Sequence, residues 1–166
     1  MTKPLVALDI DCCLADFDAA ACDRFGWDCD RSIYNYHLRW PDKIAEVDAF
    51  VGDPSSYVEL KPLRHALTYV ERTALYYELV YVTARPSGLA MWRITRNWLN
   101  DHFFPYGLVE IVALHDKPAY VAELGAVWAL EDNPAYIMSM GILGLKVLIC
   151  DQPWNRNLPG ERVNLT

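Results

Sequence analysis

Asp9 and Asp11 stand two residues apart at the end of the apolar run Pro4-Leu-Val-Ala-Leu-Asp-Ile-Asp11. Two carboxylates this close repel one another unless a cation lies between them or one holds a proton. The pair therefore asks for a divalent cation such as Mg²⁺, for acid–base chemistry, or for both. A short run of β-formers that breaks off in acids reads as a buried strand. In open α/β sheets, ligands bind just beyond the carboxyl ends of the strands, which is where these two acids fall.

The rest of the chain has to supply the elements that position them. Further strands are predicted at about 78–83, 109–113, 126–130 and 145–150, with helices at about 63–75, 87–102, 117–124 and 134–140. The second of these helices carries Leu89, Trp92, Leu99 and Phe103 among its apolar positions. Strands alternating with helices of this length imply right-handed βαβ units. The expected fold is a Rossmann-like three-layer α/β/α parallel sheet. In such a sheet the strand ends share one edge, and they read Asp9-Ile-Asp11, Thr83-Ala-Arg-Pro86, Leu114-His-Asp-Lys117 and Leu130-Glu-Asp-Asn133. Each has an ordinary reading by itself: Asp9 as a helix cap, Thr83 as a β-former, Lys117 as a surface lysine, Glu131 and Asp132 as turn residues. Together they place acids, a hydroxyl and a lysine on one crevice.

Residues 16–60 differ in character. They are rich in Asp and aromatic residues, with helical patterning at about 16–25 and 41–51. The expected organisation is a core domain of residues 1–15 and 61–166 interrupted by a small, mostly helical cap of residues 16–60. Apolar residues make up 53% of the chain and charged residues 22%, which suits one packed domain with such an insertion. The formal net charge of −7 argues against broad contact with extended nucleic acid, which needs clustered Lys and Arg. The five cysteines fall in no CxxC or zinc-finger spacing, and no apolar stretch is long enough to span a bilayer. With a start that does not read as a secretory signal, these features lead to the expectation of a cytoplasmic protein with free thiols and no membrane partner.

The acid–acid, Thr, Lys, acid–acid order at successive strand ends resembles the haloacid dehalogenase superfamily of phosphohydrolases, over nearly the whole chain. That resemblance implies a role for each matched residue. Asp9 would be the nucleophile that becomes an aspartyl-phosphate, and Asp11 the general acid–base. Thr83 would hydrogen-bond a phosphoryl oxygen, and Lys117 would offset the charge shared by phosphate and Asp9. Mg²⁺ would be held by Asp9, the Asp11 backbone carbonyl and Asp132. Two departures stand out. The positions after Asp11 are commonly Gly and Thr or Val, where this chain has Cys12 and Cys13, both small enough for a tight turn. The fourth motif is commonly Asp-Asp, where this chain has Glu131-Asp132; Glu131 is expected to support the metal from behind or through a water.

Leu14-Ala-Asp16-Phe17, Thr83-Ala-Arg-Pro86 and Asp151-Gln-Pro-Trp-Asn-Arg156 are similar to the 5′(3′)-deoxyribonucleotidase group of that superfamily. In that group a small helical cap follows the first strand, and its aromatics stack on the base of a nucleoside monophosphate. Phe17 and Trp27 are accordingly candidates for the base, each with a packing role as the alternative. Arg85 is a candidate for phosphate or sugar, with a salt bridge to an acidic neighbour as the alternative. The implied activity is hydrolysis of a small phosphomonoester, a (deoxy)ribonucleoside monophosphate, by an enzyme compatible with a homodimer. The competing readings are a polynucleotide 3′-phosphatase and a catalytically silent binding module on the same fold.

Overall fold

The computed structural model describes residues 2–166. Six parallel strands form one sheet in the order β3-β2-β1-β4-β5-β6. They are β1 (Leu5–Leu8), β2 (Glu78–Thr83), β3 (Leu108–Ile111), β4 (Ala129–Glu131), β5 (Val147–Cys150) and β6 (Glu161–Val163). Strands covered on both faces read as unbroken apolar runs; Val6, Ala7 and Leu8 of β1 and Leu79 to Val82 of β2 are all buried. From β1 the chain winds outward through β2 and β3, then returns to β4 on the other flank of β1. The strand order thus reverses between β1 and β4, and the crevice beyond their carboxyl ends is the favoured ligand position of such a sheet.

The helices of the sheet are α4 (Ala66–Tyr76), α5 (Leu89–Asp101), α6 (Lys117–Glu123) and α7 (Pro134–Ile142). Asn133 caps α7 by accepting from the Ala135 amide, with Pro134 in the first turn where no amide is needed. The face that α5 buries is Met91, Thr95, Trp98 and Leu99, at helical spacing. Of the apolar positions read from sequence, Leu89, Trp92 and Phe103 are exposed instead. Trp92 spends its indole N–H on the Val109 carbonyl, and Arg96 its guanidinium on that of Gly107, at the free edge of β3. At 13 residues α5 is the longest helix, and no described helix is long and apolar enough to cross a membrane.

β6 is absent from the sequence expectation because it lacks an apolar run. Glu161-Arg162-Val163 is a three-residue edge strand held by Arg162, which donates to Asp151 Oδ1, Asn155 Oδ1 and O, and the Leu158 carbonyl.

A helical insert comes after β1. It contains α1 (Phe17–Phe25), α2 (Tyr36–Arg39), α3 (Ile44–Gly52) and two 3₁₀ turns, Pro41–Lys43 and Pro54–Tyr57. The chain leaves and returns side by side: the Asp16 amide donates to the Lys61 carbonyl at 2.8 Å, and Leu63 to Leu14 at 2.7 Å. Asp16 caps α1 through the Ala19 amide, and Gly26 ends it at φ +116°, a conformation that a side chain rarely adopts. Cys22, Phe25, Trp40 and Val47 build a small core of the insert's own. Buried Asp18 pairs with Arg39 and, at 2.6 Å, with Arg31.

Candidate active site

The tight turn after β1 aims both acids of the opening pair. The amides of Cys13, Leu14 and Ala15 all donate to the Ile10 carbonyl, and the Cys12 amide donates to Ala15. Cys12 closes this turn at φ +60°, which costs a residue with a side chain roughly 1–2 kcal/mol. A glycine at this position would meet no such cost. The turn is held all the same: Gln152 Nε2 donates to the Cys12 carbonyl at 2.6 Å, and the Cys150 thiol points at the same oxygen.

Asp9, Lys117, Glu131 and Asp132 converge at the β1–β4 switch point, all of them buried. Lys117, in the first turn of α6, sets its Nζ 2.6 Å from Asp9 Oδ1 and 2.8 Å from Glu131 Oε2. Glu131 Oε1 accepts from the amides of Asp132 and Asn133, at 3.1 and 3.0 Å. Its contacts are therefore to the lysine and to the turn before α7, including the amide of Asp132 itself. Asp132 is fixed from the far side. Trp154 Nε1 donates to its Oδ2 at 3.1 Å, and Asn155 Nδ2 to its backbone carbonyl at 2.9 Å.

Three carboxylates face one ammonium here. Burial, reinforced by Glu131, pushes the Asp9 carboxyl up to about 8 in spite of Lys117. Burial, then Glu131 and Asp9, pushes Asp132 well above the usual carboxylate range. Burial works against the Lys117 ammonium, but Asp9 and Glu131 outweigh it and raise its pKa. A site with surplus buried negative charge and carboxylate oxygens suits a hard divalent cation. Ligand atoms of Asp9, Asp132 and Cys13 lie within 4.8 Å of one another, so the residues present fit Mg²⁺ between the two aspartates.

Asp11 is engaged differently. Arg85 grips both its oxygens, Nη2 to Oδ1 at 2.7 Å and Nε to Oδ2 at 2.8 Å. The Thr83 hydroxyl donates to Oδ2 at 3.2 Å, so its partner here is Asp11. Of the two roles weighed for Arg85 from sequence, the salt bridge is the one that the geometry shows.

Asp9, Asp11, Thr83, Lys117 and Asp132 all line one cleft of about 330 Å³. Its outer wall comes from the insert, with Phe17, Tyr34, Tyr36 and Tyr57, and from Tyr136 of α7. Phe17 is only 6% exposed, its ring packed against Tyr36, Tyr57 and Phe50 at centroid distances of 5.9, 5.1 and 5.3 Å. It builds the wall more than it presents a face. Trp27 is not brought to the cleft. It is 53% exposed, donates its indole N–H to Asp23 at 2.8 Å and lies under Arg31. Its place just past Gly26 carries it away with the end of α1. Tyr34, 42% exposed and edge-on to Trp154, is the more open ring.

No family model matches the sequence, and no curated protein does. Solved structures do match. The HAD hydrolase YfnB from Bacillus subtilis, bound to magnesium, superposes with a TM-score of 0.60 at 15% identity, covering 98% of this chain and 95% of that one. The fold is the haloacid dehalogenase-like fold. A haloacid dehalogenase-like hydrolase from Streptococcus pneumoniae gives 0.59 at 12% identity, over 89% and 84% of the two chains. CbbY from Rhodobacter sphaeroides, in complex with phosphate, gives 0.56 at 16% identity, over 97% and 93%.

Proposed function

We propose that this chain is a Mg²⁺-dependent phosphomonoesterase whose nucleophile is Asp9 and whose substrate is a (deoxy)ribonucleoside monophosphate. The observation that carries the proposal is the buried cluster at the switch point: Asp9 held by Lys117 at 2.6 Å, opposite Asp132 and beside Asp11. The same residues belong to the acid–acid, Thr, Lys, acid–acid order on which the resemblance to haloacid dehalogenase-type phosphohydrolases rests.

A carboxylate oxygen of Asp9 bonds to phosphorus as the ester P–O bond breaks, and the departing oxygen takes the Asp11 proton. Asp11 then removes a proton from water as that water attacks phosphorus. The acyl-phosphate bond breaks, inorganic phosphate leaves, and the Asp9 carboxylate is restored. Lys117 holds Asp9 in place and offsets its charge, because phosphoryl transfer depends chiefly on positioning and electrostatic stabilisation. When bound, Mg²⁺ supplies positive charge at the phosphoryl oxygens and lets Asp9 and Asp132 ionise together. Asp9, Asp132 and the Asp11 backbone carbonyl would hold it.

Residues 16–60 act in this reading as a substrate-selecting cap on the core of residues 1–15 and 61–166. A cleft of about 330 Å³ walled by tyrosines suits one flat base and its sugar, and stacking on such rings is worth roughly 1–3 kcal/mol per base. The net charge of −7 disfavours a polynucleotide.

The test is phosphate release with Mg²⁺ over all common ribo- and deoxyribonucleoside 5′- and 3′-monophosphates, sugar phosphates and 3′-phosphorylated oligonucleotides. Fastest turnover on a mononucleotide is expected. Preference for the oligonucleotides would replace the substrate assignment by end-healing, and no turnover on any phosphomonoester would leave a binding module.

A further inference from the structure

We infer that Arg85 is a positioning residue for Asp11, a clamp that aims the acid–base carboxylate, and that it takes no part in holding the substrate. The inference rests on the phosphatase reading of the site. Each of the three guanidinium nitrogens has an acceptor within the protein. Nε and Nη2 hold the two Asp11 oxygens, and Nη1 donates to Thr95 Oγ1 at 3.0 Å. The Thr95 hydroxyl is itself fixed, donating to the Met91 carbonyl one turn back along α5 at 2.9 Å. The Tyr57 ring of the insert covers the guanidinium at 4.6 Å, and Arg85 as a whole is 3% exposed. A two-pronged guanidinium–carboxylate pair fixes the plane of the carboxylate as well as its distance, which a single ammonium does not.

The two Asp11 oxygens are not equivalent under this clamp. Oδ2 accepts from both Arg85 Nε and Thr83 Oγ1, whereas Oδ1 accepts from Arg85 Nη2 alone. Oδ1 is the oxygen with capacity to spare for the leaving group and for water. Arg85 also joins three parts of the fold at this carboxylate: the end of β2 that bears it, the buried face of α5 through Thr95, and the wall of the cleft through Tyr57. The aim of Asp11 is thereby tied to the seating of the insert.

A double-mutant cycle with Arg85→Gln, Asp11→Asn and the combined variant tests this. The substrates are p-nitrophenyl phosphate and the nucleoside monophosphate that the wild-type enzyme turns over fastest. General acid–base catalysis is worth about 10²–10⁴-fold, so misaiming Asp11 should lower kcat by roughly 10–100-fold with KM within about threefold. The fall should be smaller on p-nitrophenyl phosphate, whose leaving group needs no proton. The combined variant should be no slower than Asp11→Asn alone, because both changes remove one function. Arg85→Lys should recover part of kcat. Thr95→Val, which frees only Nη1, should show the same pattern more weakly and serves where Arg85→Gln does not fold. A rise in KM with kcat retained, or losses that multiply in the combined variant, would overturn the assignment and return Arg85 to substrate binding. An inactive wild-type enzyme would overturn the phosphatase reading and this inference together; an active one with multiplying losses overturns the clamp alone.

Discussion

Lys117→Met removes the one ammonium from a buried cluster that holds Asp9, Glu131 and Asp132, while keeping most of the side chain's length. Lys117 touches Asp9 at 2.6 Å and Glu131 at 2.8 Å, and all four groups are buried. Removing one partner of a buried ion pair costs about 3–5 kcal/mol, because a charge is left without compensation. Protons can stand in for the lost ammonium, so the cost should depend on pH. We expect about 3–5 kcal/mol at pH 8 and roughly half of that at pH 5, where the carboxyl groups can take up protons. Glu131→Gln keeps an oxygen for the Asp132 and Asn133 amides but drops the charge. Added to Lys117→Met, it should restore about 1–2 kcal/mol at pH 8. The assay is urea unfolding with chelator present, for the wild type and the three variants at both pH values. A loss under about 1 kcal/mol that is the same at both would show that Lys117 does not balance buried carboxylates.

The pH dependence of the metal-free protein has a definite sign. Asp9 is raised from 3.8 to about 8 on folding, first by burial and then by Glu131, so its contribution is fully present below pH 3.8 and is lost as pH rises toward 8. Thermal melts in chelator should therefore fall across that window, by up to about 1.4 kcal/mol per pH unit, and Mg²⁺ should reverse the fall most at the alkaline end. A melting point that rises with pH in chelator would contradict this. Asp132→Asn should raise the stability of the metal-free protein, since it removes a carboxyl that burial and its acidic neighbours force to take up a proton, and should abolish the stabilisation by Mg²⁺ in the same melts. Burial first pushes the Cys12 and Cys13 thiols well above their usual range, helped by nearby carboxylates at Cys12 and by the Cys150 thiol at Cys13, and Cys150 is buried. Iodoacetamide on the native protein should label Cys29, which is partly exposed, and leave those three unlabelled until denaturant is added; mass spectrometry of the digests reads this directly.

The convergence of the acids, Thr83 and Lys117 on one cleft was legible because each ends or follows a run whose apolar character is enforced by burial on both sheet faces. Residues just past the apolar strands of a parallel sheet must land on the same edge, whatever their distance in sequence. Residues whose roles depend on direction were not legible. Arg85 two residues past Thr83 fits a phosphate or a carboxylate equally well, and only the side-chain fork shows that Asp11 takes both prongs. Glu131 is expected from sequence only to support the metal from behind or through a water, and its particular partners, the turn amides and Lys117, come from the fold. Trp27 is a candidate for the cleft through the resemblance to caps with base-stacking aromatics, but it lies just past the glycine that ends α1 and is exposed to solvent. β6 carried no periodic signal at all, since an edge strand of three residues is held by Arg162 rather than by an apolar face. Cys12 met the requirement for a small residue in the turn, while its left-handed backbone depends on hydrogen bonds from Gln152 and Cys150, more than a hundred positions away.

The most direct test of Asp9 as nucleophile is capture of the phosphoryl group. The wild-type protein with Mg²⁺ and a ³²P-labelled nucleoside monophosphate is quenched in acid within the first turnover, and the labelled peptide is identified. The label should sit on the peptide that carries Asp9, and Asp9→Asn should show neither label nor phosphate release while melting as a folded protein. Phosphate release at near wild-type rate from Asp9→Asn, or steady turnover with the label on another residue, would contradict it.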